Sequence, residues 1–92
     1  MKKGTFGKAG TLESNDVLVT VELNEENPLE IELESIVKAQ FGDQLMHTVT
    51  TTLQSLGVTN GTIRIIDKGA LDFAIRARVI TAVNRARGEE AL

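Results

Sequence analysis

The chain has 92 residues, a formal net charge of -3 and 41% hydrophobic residues, enough for one compact domain and too few for a catalytic domain joined to a separate partner-binding one. A domain of this size buries only roughly 60 to 65% of its unfolded-chain surface, so its apolar residues must be placed efficiently. Three Phe with no Trp or Tyr leave almost no base-stacking surface, and the acidic balance lacks the basic field that phosphate binding needs; both argue against a nucleic-acid partner.

The absence of Cys excludes disulfides, thiolate metal ligands and a thiol nucleophile. Lys2 and Lys3 lead into Gly4-Thr5-Phe6-Gly7-Lys8-Ala9-Gly10 and not into the apolar stretch of a secretory signal. No run reaches transmembrane length, so a cytoplasmic location without membrane association is expected.

Residues 1–15 are rich in Gly and polar residues without apolar periodicity, and are expected to form a flexible arm leading into a single domain over 16–92. Val17, Val19, Val21 and Leu23 alternate with Leu18, Thr20 and Glu22 as in a half-buried strand. Asn24-Glu25-Glu26-Asn27-Pro28 marks a turn. Leu29, Ile31 and Leu33 then alternate with Glu30, Glu32 and Glu34, giving a second strand with an acidic outer face and, with the first, an expected hairpin.

From Ser35 the period lengthens. Val37, Phe41, Leu45, Val49 and Leu53 recur every four residues along one helix face, with Leu56 following and Gly57 placed to cap the C-terminus. Asn60-Gly61 signals a turn, and Ile63 and Ile65 flanking Arg64 predict a third, short strand. Asp67 is placed to cap a last helix whose apolar line is Leu71, Ile75, Val79 and Val83, with Gly88 at its end. The order β-β-α-β-α predicts an α/β (α+β) two-layer sandwich with a mostly antiparallel three-stranded sheet and both helices on one face. A crossover through the first helix would place the third strand beside the first, in the order 2-1-3.

Chemistry-bearing constellations are few. His47 stands alone in the first helix and builds no triad. The Gly-rich start fails the phosphate-loop pattern G-x-x-x-x-G-K-[ST], and no strand is expected before it. Eight acids between Glu13 and Glu34, with no Lys or Arg among them, suit either a solvated sheet face or a docking surface for basic partners. Arg76, Arg78, Arg85 and Arg87 crowd the last helix, where helix-dipole and i,i+4 pairing with Asp72 favour a structural role over phosphate contact. Arg78 falls on the side of Leu71 and Ile75, so its stem is expected at the core boundary with its head reaching across the domain.

Ser14, taken alone, is a serine in a polar segment. The run Ala9-Gly10-Thr11-Leu12-Glu13-Ser14-Asn15-Asp16-Val17 nevertheless resembles the modification site of the citrate lyase acyl carrier proteins, the gamma subunits of that enzyme. Gln40-Phe41-Gly42-Asp43, and Asp67-Lys68-Gly69-Ala70-Leu71-Asp72 followed by Arg76-Ala77-Arg78, agree with the same family in order and spacing. The resemblance covers nearly the whole chain, which stops soon after Gly88-Glu89-Glu90 without the longer tail of some relatives.

The resemblance implies a non-catalytic carrier, with phosphoribosyl-dephospho-coenzyme A (phosphoribosyl-dephospho-CoA) joined by a phosphodiester to the hydroxyl of Ser14. The terminal thiol of that group would hold acetyl and citryl groups. The implied partners are an alpha subunit that exchanges acetyl for citrate, a beta subunit that cleaves the citryl carrier to oxaloacetate, and a cofactor-loading transferase. Two readings of the residues agree with this. A chain without Cys must import the thiol that thioester chemistry needs, and a long arm on a flexible, Gly-rich segment, which a rigid and buried serine could not replace, holds an acyl group at high effective concentration near separate active sites. The competing class is a small interaction module that binds a protein through its acidic sheet face with Leu18 and Ile66, without a cofactor.

Overall fold

A computed structural model describes residues 5–88. Lys2, Lys3 and Gly4 at the start, and Glu89 and Glu90 near the end, lie outside the described residues. The elements are β1 (Thr5–Gly10), β2 (Val17–Leu23), β3 (Glu30–Ser35), α1 (Lys38–Ser55), β4 (Thr62–Asp67) and α2 (Asp72–Ala86). They form a four-stranded sheet in the order β1-β2-β4-β3. One face of the sheet packs against both helices in a single core.

The two-layer α+β plan stands, and the expected three-stranded sheet gains a strand. Residues 5–10, expected within the arm, are β1, paired antiparallel with β2 from Thr5↔Leu23 to Gly10↔Leu18. The alternation is present but its inward members are Gly7 and Ala9, both buried, while Thr5, Phe6 and Lys8 are exposed. Small residues are required there because α2 lies directly on the strand: a Cβ added to Gly7 would stand 2.0 Å from the carbonyl oxygen of Ala82 and 2.5 Å from the amide nitrogen of Ala86.

The expected hairpin between β2 and β3 does not form and the order 2-1-3 does not hold, although the predicted third strand, β4, does lie beside the predicted first, β2. β4 enters between them, antiparallel to β2 and parallel to β3, with α1 as the crossover. The outer face supplies a reason. A direct β2–β3 pairing would set Glu22 of one strand beside the glutamates of the other, and like charges across a ladder are destabilising. With β4 between, Arg64 sits opposite both Thr20 and Glu32 and binds Glu32 through Nε at 2.9 Å. The acidic strand goes to the edge, where exposed Glu30, Glu32 and Glu34 discourage further pairing.

Inward rows run across the sheet. Ala9, Val19, Ile65 and Leu33 form one, and Gly7, Val21, Ile63 and Ile31 the next. Val19, Val21 and Ile63 are fully buried, with Leu45, Val49 and Leu53 of α1 and Ile75, Val79 and Val83 of α2 closing over them. The C-terminus of α1 is a Schellman cap: Gly57 takes φ +72, its N–H donates to the Gln54 carbonyl at 3.0 Å, and the Val58 N–H donates to that of Leu53 at 3.0 Å.

Asp67 does not cap α2, whose N-cap is Leu71. Asp67 ends the inward row Val17–Asp67–Ser35 and is 1% exposed. Its carboxylate accepts the Ser35 hydroxyl at 2.7 Å and the Ala70 N–H at 2.9 Å, joining the end of β3 to the β4–α2 connection. Leu71, placed on the core line by periodicity, is 64% exposed.

The β1–α2 contact gives a direct test. Gly7→Ala is expected to cost about 1–3 kcal/mol, the usual range for overpacking, lowering the melting temperature by roughly 4–8 °C per kcal/mol. Phe6→Ala next to it, at a position 61% exposed, is expected to stay within about 0.5 kcal/mol of the parent, with thermal denaturation followed by circular dichroism distinguishing the two.

Candidate functional site

Ser14 lies in the connection between β1 and β2, residues 11–16, and is exposed there. It is therefore part of a hairpin loop and not of an arm preceding the fold. The Asp16 N–H donates to the Glu13 carbonyl at 3.1 Å, closing a four-residue turn with Ser14 at its second position. The third position is Asn15 with φ 67, a left-handed conformation that Asn tolerates better than most residues. Ser14 thus stands at the apex of a turn, and its hydroxyl makes no hydrogen bond to another of the described residues.

The turn is fixed on several sides. Asp16 organises it internally, accepting the Thr11 hydroxyl at 2.7 Å through Oδ2 and the Val17 N–H at 2.7 Å through Oδ1. Thr11 Oγ1 also accepts the Glu13 N–H at 3.2 Å. From α2, Arg78 reaches back and grips the same carboxylate with two bonds, Nε to Oδ1 at 3.2 Å and Nη2 to Oδ2 at 3.0 Å. The expected reach of the Arg78 head across the domain is what the structure contains, with Asp16 as its partner.

A second anchor is backbone only. The Asn15 N–H donates to the Lys68 carbonyl at 2.8 Å, and the Lys68 N–H donates to the Asp16 carbonyl at 2.8 Å. The loop thereby hangs on the β4–α2 connection that Asp67 holds in place. Gly10 makes the entry possible: at φ +95, a Cβ there would lie 1.8 Å from the Val17 carbonyl oxygen and 3.3 Å from Arg78 Cδ.

The electrostatics follow from the contacts. The Thr11 hydroxyl, the Val17 N–H and the Arg78 guanidinium each favour the carboxylate, against the opposing effect of burial, and bring Asp16 down from 3.8 to about 2. The pair with Arg78 is part-exposed, the two side chains being 42% and 17% accessible, so solvent screens its energy. Its chief effect is geometric, since a bidentate guanidinium fixes the carboxylate plane.

The remaining residues singled out by sequence lie elsewhere. His47 is exposed on α1 and shares a shallow depression with Thr51, Phe73 and Arg76. Asp72 accepts the Thr48 hydroxyl at 3.4 Å between the helices. Arg85 donates to the Lys8 carbonyl at 2.8 Å and Arg87 to the Leu56 carbonyl at 2.6 Å, structural roles for both. Leu18 and Ile66 pair with each other on the outer face and are half-buried. Among the described residues no group of three or more His, Asp or Glu is placed to hold a metal ion, and no helix is long and apolar enough to cross a membrane.

Sequence reasoning did not find Thr11, Asn15 or Lys68. Thr11 carried a usable signal, since a hydroxyl residue opening a short polar loop commonly bonds a nearby backbone N–H. The Asp16–Arg78 pair spans 62 positions and has no local signature.

Comparison with known proteins places this loop in context. Residues 6–86 match the acyl carrier family model described as the malonate decarboxylase delta subunit (MdcD). A citrate lyase acyl carrier protein of Fusobacterium nucleatum subsp. nucleatum is 48% identical over 82 residues, covering 89% of this chain and 87% of that protein. One of Lactiplantibacillus plantarum is 49% identical over 86 residues, covering 94% and 88%. Among solved structures, a chain of a Pseudomonas malonate decarboxylase hetero-tetramer in complex with malonate has the same fold, with a TM-score of 0.68 at 19% identity over 91% of this chain and 88% of that one.

The titration of Asp16 tests the loop geometry. Because its pKa is lowered on folding, Asp16 contributes stability that is complete above about pH 4 and is lost as the pH falls from 3.8 through about 2. Thr11→Val and Arg78→Gln are each expected to raise that pKa toward 3.8, and so to lower stability above about pH 4 while reducing the part of it that is lost between pH 3.8 and about 2. NMR titration of the Asp16 carboxyl carbon measures the shift directly.

Proposed function

The chain belongs to the acyl carrier family that includes the citrate lyase acyl carrier proteins and the malonate decarboxylase delta subunit, and on that premise we propose that it is the carrier subunit of a citrate lyase, with Ser14 as its point of attachment. Carriers of this kind are non-catalytic subunits. Phosphoribosyl-dephospho-CoA, esterified to the Ser14 hydroxyl through a phosphodiester, supplies the terminal thiol on which acetyl and citryl groups are carried. The lyase alpha and beta subunits and a loading transferase are the partners in this reading, and the cytoplasm its setting.

The observation that carries the assignment is the exposed Ser14 side chain at the apex of a held turn. A transferase must bring a bulky, multiply charged donor up to this oxygen, and the apex offers it an approach without unfolding the loop. The residues around Ser14 suit a covalent seat better than a binding pocket. Glu13 and Asp16 flank it, so a pendant phosphodiester finds no cationic cradle in the turn, and the Arg78 guanidinium is occupied by Asp16. The attached arm is thereby left to extend away from its root.

Each loop residue then has a task. Asp16, held by Thr11 and Arg78, fixes the exit of the turn. Asn15 anchors the following peptide to Lys68. Gly10 lets the chain reverse direction beneath Arg78. The root of the arm is fixed while the arm itself supplies the reach, and effective concentration at each partner site depends on that reach. The chain has no Cys, so no competing thiol exists on the protein to capture the acyl group.

Intact-mass measurement on protein from a citrate-fermenting source is the test. The expected result is a covalent adduct above 10.0 kDa that maps to Ser14 and is absent in Ser14→Ala, the variant retaining the parent circular dichroism spectrum. An unmodified parent chain from that source refutes the assignment.

A further inference from the structure

The apolar lines of the two helices run further than the core does. On α1, Leu45, Val49 and Leu53 are buried, but Phe41, one turn earlier on the same line, is 47% exposed. On the α2 side, Ile75 is fully buried while Leu71, one turn earlier, is exposed. Both surplus residues line one groove of about 430 Å³ between the start of α1 and the β4–α2 connection. Val37, Leu45 and Ala70 complete its apolar walls, with Gln44 and Asp72 as its polar groups. A mostly apolar concavity of that size with a few polar side chains has the make-up of a small-molecule site.

Its position relates it to Ser14. Gly69 belongs to the groove wall, and a Cβ there would lie 3.6 Å from Asn15 Oδ1 and 3.6 Å from Ile36 Cδ1. The preceding residue, Lys68, accepts the Asn15 N–H. One end of the groove is therefore the immediate neighbour of the turn that presents Ser14.

We propose that this groove receives the thiol-bearing, amide-containing segment of the arm attached to Ser14, holding it against the domain between its visits to partner sites. The assignment rests on the carrier function proposed for Ser14. The apolar walls suit the methyl and methylene groups of such an arm, while the Gln44 amide and the Asp72 carboxylate are placed for its amides. A ligand with no tether would need substantial affinity to occupy so open a site. A short flexible tether instead supplies an effective concentration in the millimolar range, so a contact with a dissociation constant of roughly 1 mM keeps the arm docked about half the time and still releases it.

The test compares the isolated chain before and after loading by its transferase, with intact mass read first. The groove predicts methyl chemical-shift changes at Val37, Ala70 and Leu71 on loading, beyond those in the 11–16 loop. In Leu71→Glu, which changes an exposed side chain and keeps the fold, the terminal thiol is expected to react about twofold faster with a small disulfide reagent. A confirmed Ser14 adduct with shifts confined to residues 11–16, or with equal thiol rates in the parent and Leu71→Glu, overturns the groove assignment and leaves the carrier function standing. Absence of the adduct after loading overturns both. Because no partner subunit is present, a groove that serves only subunit docking gives the negative result.

Discussion

The architecture depends on the contact between α2 and the backbone of β1. At Gly7 the helix comes so close that a single methyl group would overlap the Ala82 carbonyl oxygen, and the helix answers with its own small residues, Ala82 and Ala86, both buried. This approach lets a strand with no large inward side chain join the core. It also turns β2 from an edge into an interior strand, leaving β1 and β3 at the two edges. Once β1 is in the sheet, the residues between it and β2 must form a hairpin loop, and that loop passes within reach of Arg78. The position of Ser14 is thus a consequence of packing in the middle of the preceding strand.

The attachment proposed at Ser14 sets two requirements that pull apart. It must be open to several enzymes, and it must be found by them in a constant orientation. A serine on a disordered tail meets the first and fails the second. Here the apex of the turn is exposed while its base is tied to α2 through Asp16–Arg78 and to the β4–α2 connection through Lys68. Ordering backbone costs about 1–2 kcal/mol per residue, which a surface loop recovers only through bonds of this kind. The bonds converge on Asp16 and on the peptides beside it, leaving the Ser14 hydroxyl unengaged.

Much of this was legible in the sequence, and the remainder fails for identifiable reasons. β2, β4, α1 and the body of α2 announce themselves because Val, Ile and Leu carry their periods. β1 does not, because the feature that admits it to the core is the absence of side chains at Gly7 and Ala9, which reads equally well as a flexible segment. The strand order was hidden in the outer face, where the position of Arg64 between Thr20 and Glu32 is a property of three strands together. Asp67 has the spacing of a helix cap, and only the register Val17–Asp67–Ser35 reveals that it points into the core. Ser14 is proposed as the attachment point through family likeness, and the structure adds its exposure at the apex of the turn. Its clamp joins residues too distant in sequence for local reasoning to pair, although Arg78 was already marked by its place at the boundary of the apolar stripe.

The distribution of charge follows from the same packing. Arg64, Arg78, Arg85 and Arg87 each direct a guanidinium at a carboxylate or a carbonyl of the domain itself, and Lys38 covers the open edge of β3 by bonding the Leu33 carbonyl at 3.2 Å. These cations join the elements to one another. Exposed acids such as Glu13, Glu22, Glu30 and Glu34 then dominate the outward field of a chain whose formal net charge is -3. Such a field acts at a distance on diffusional encounter and raises association rates with basic surfaces more than it deepens affinity. The acidic strand therefore keeps the sheet edge from pairing with other strands, and the same carboxylates add to the negative field on that side of the domain.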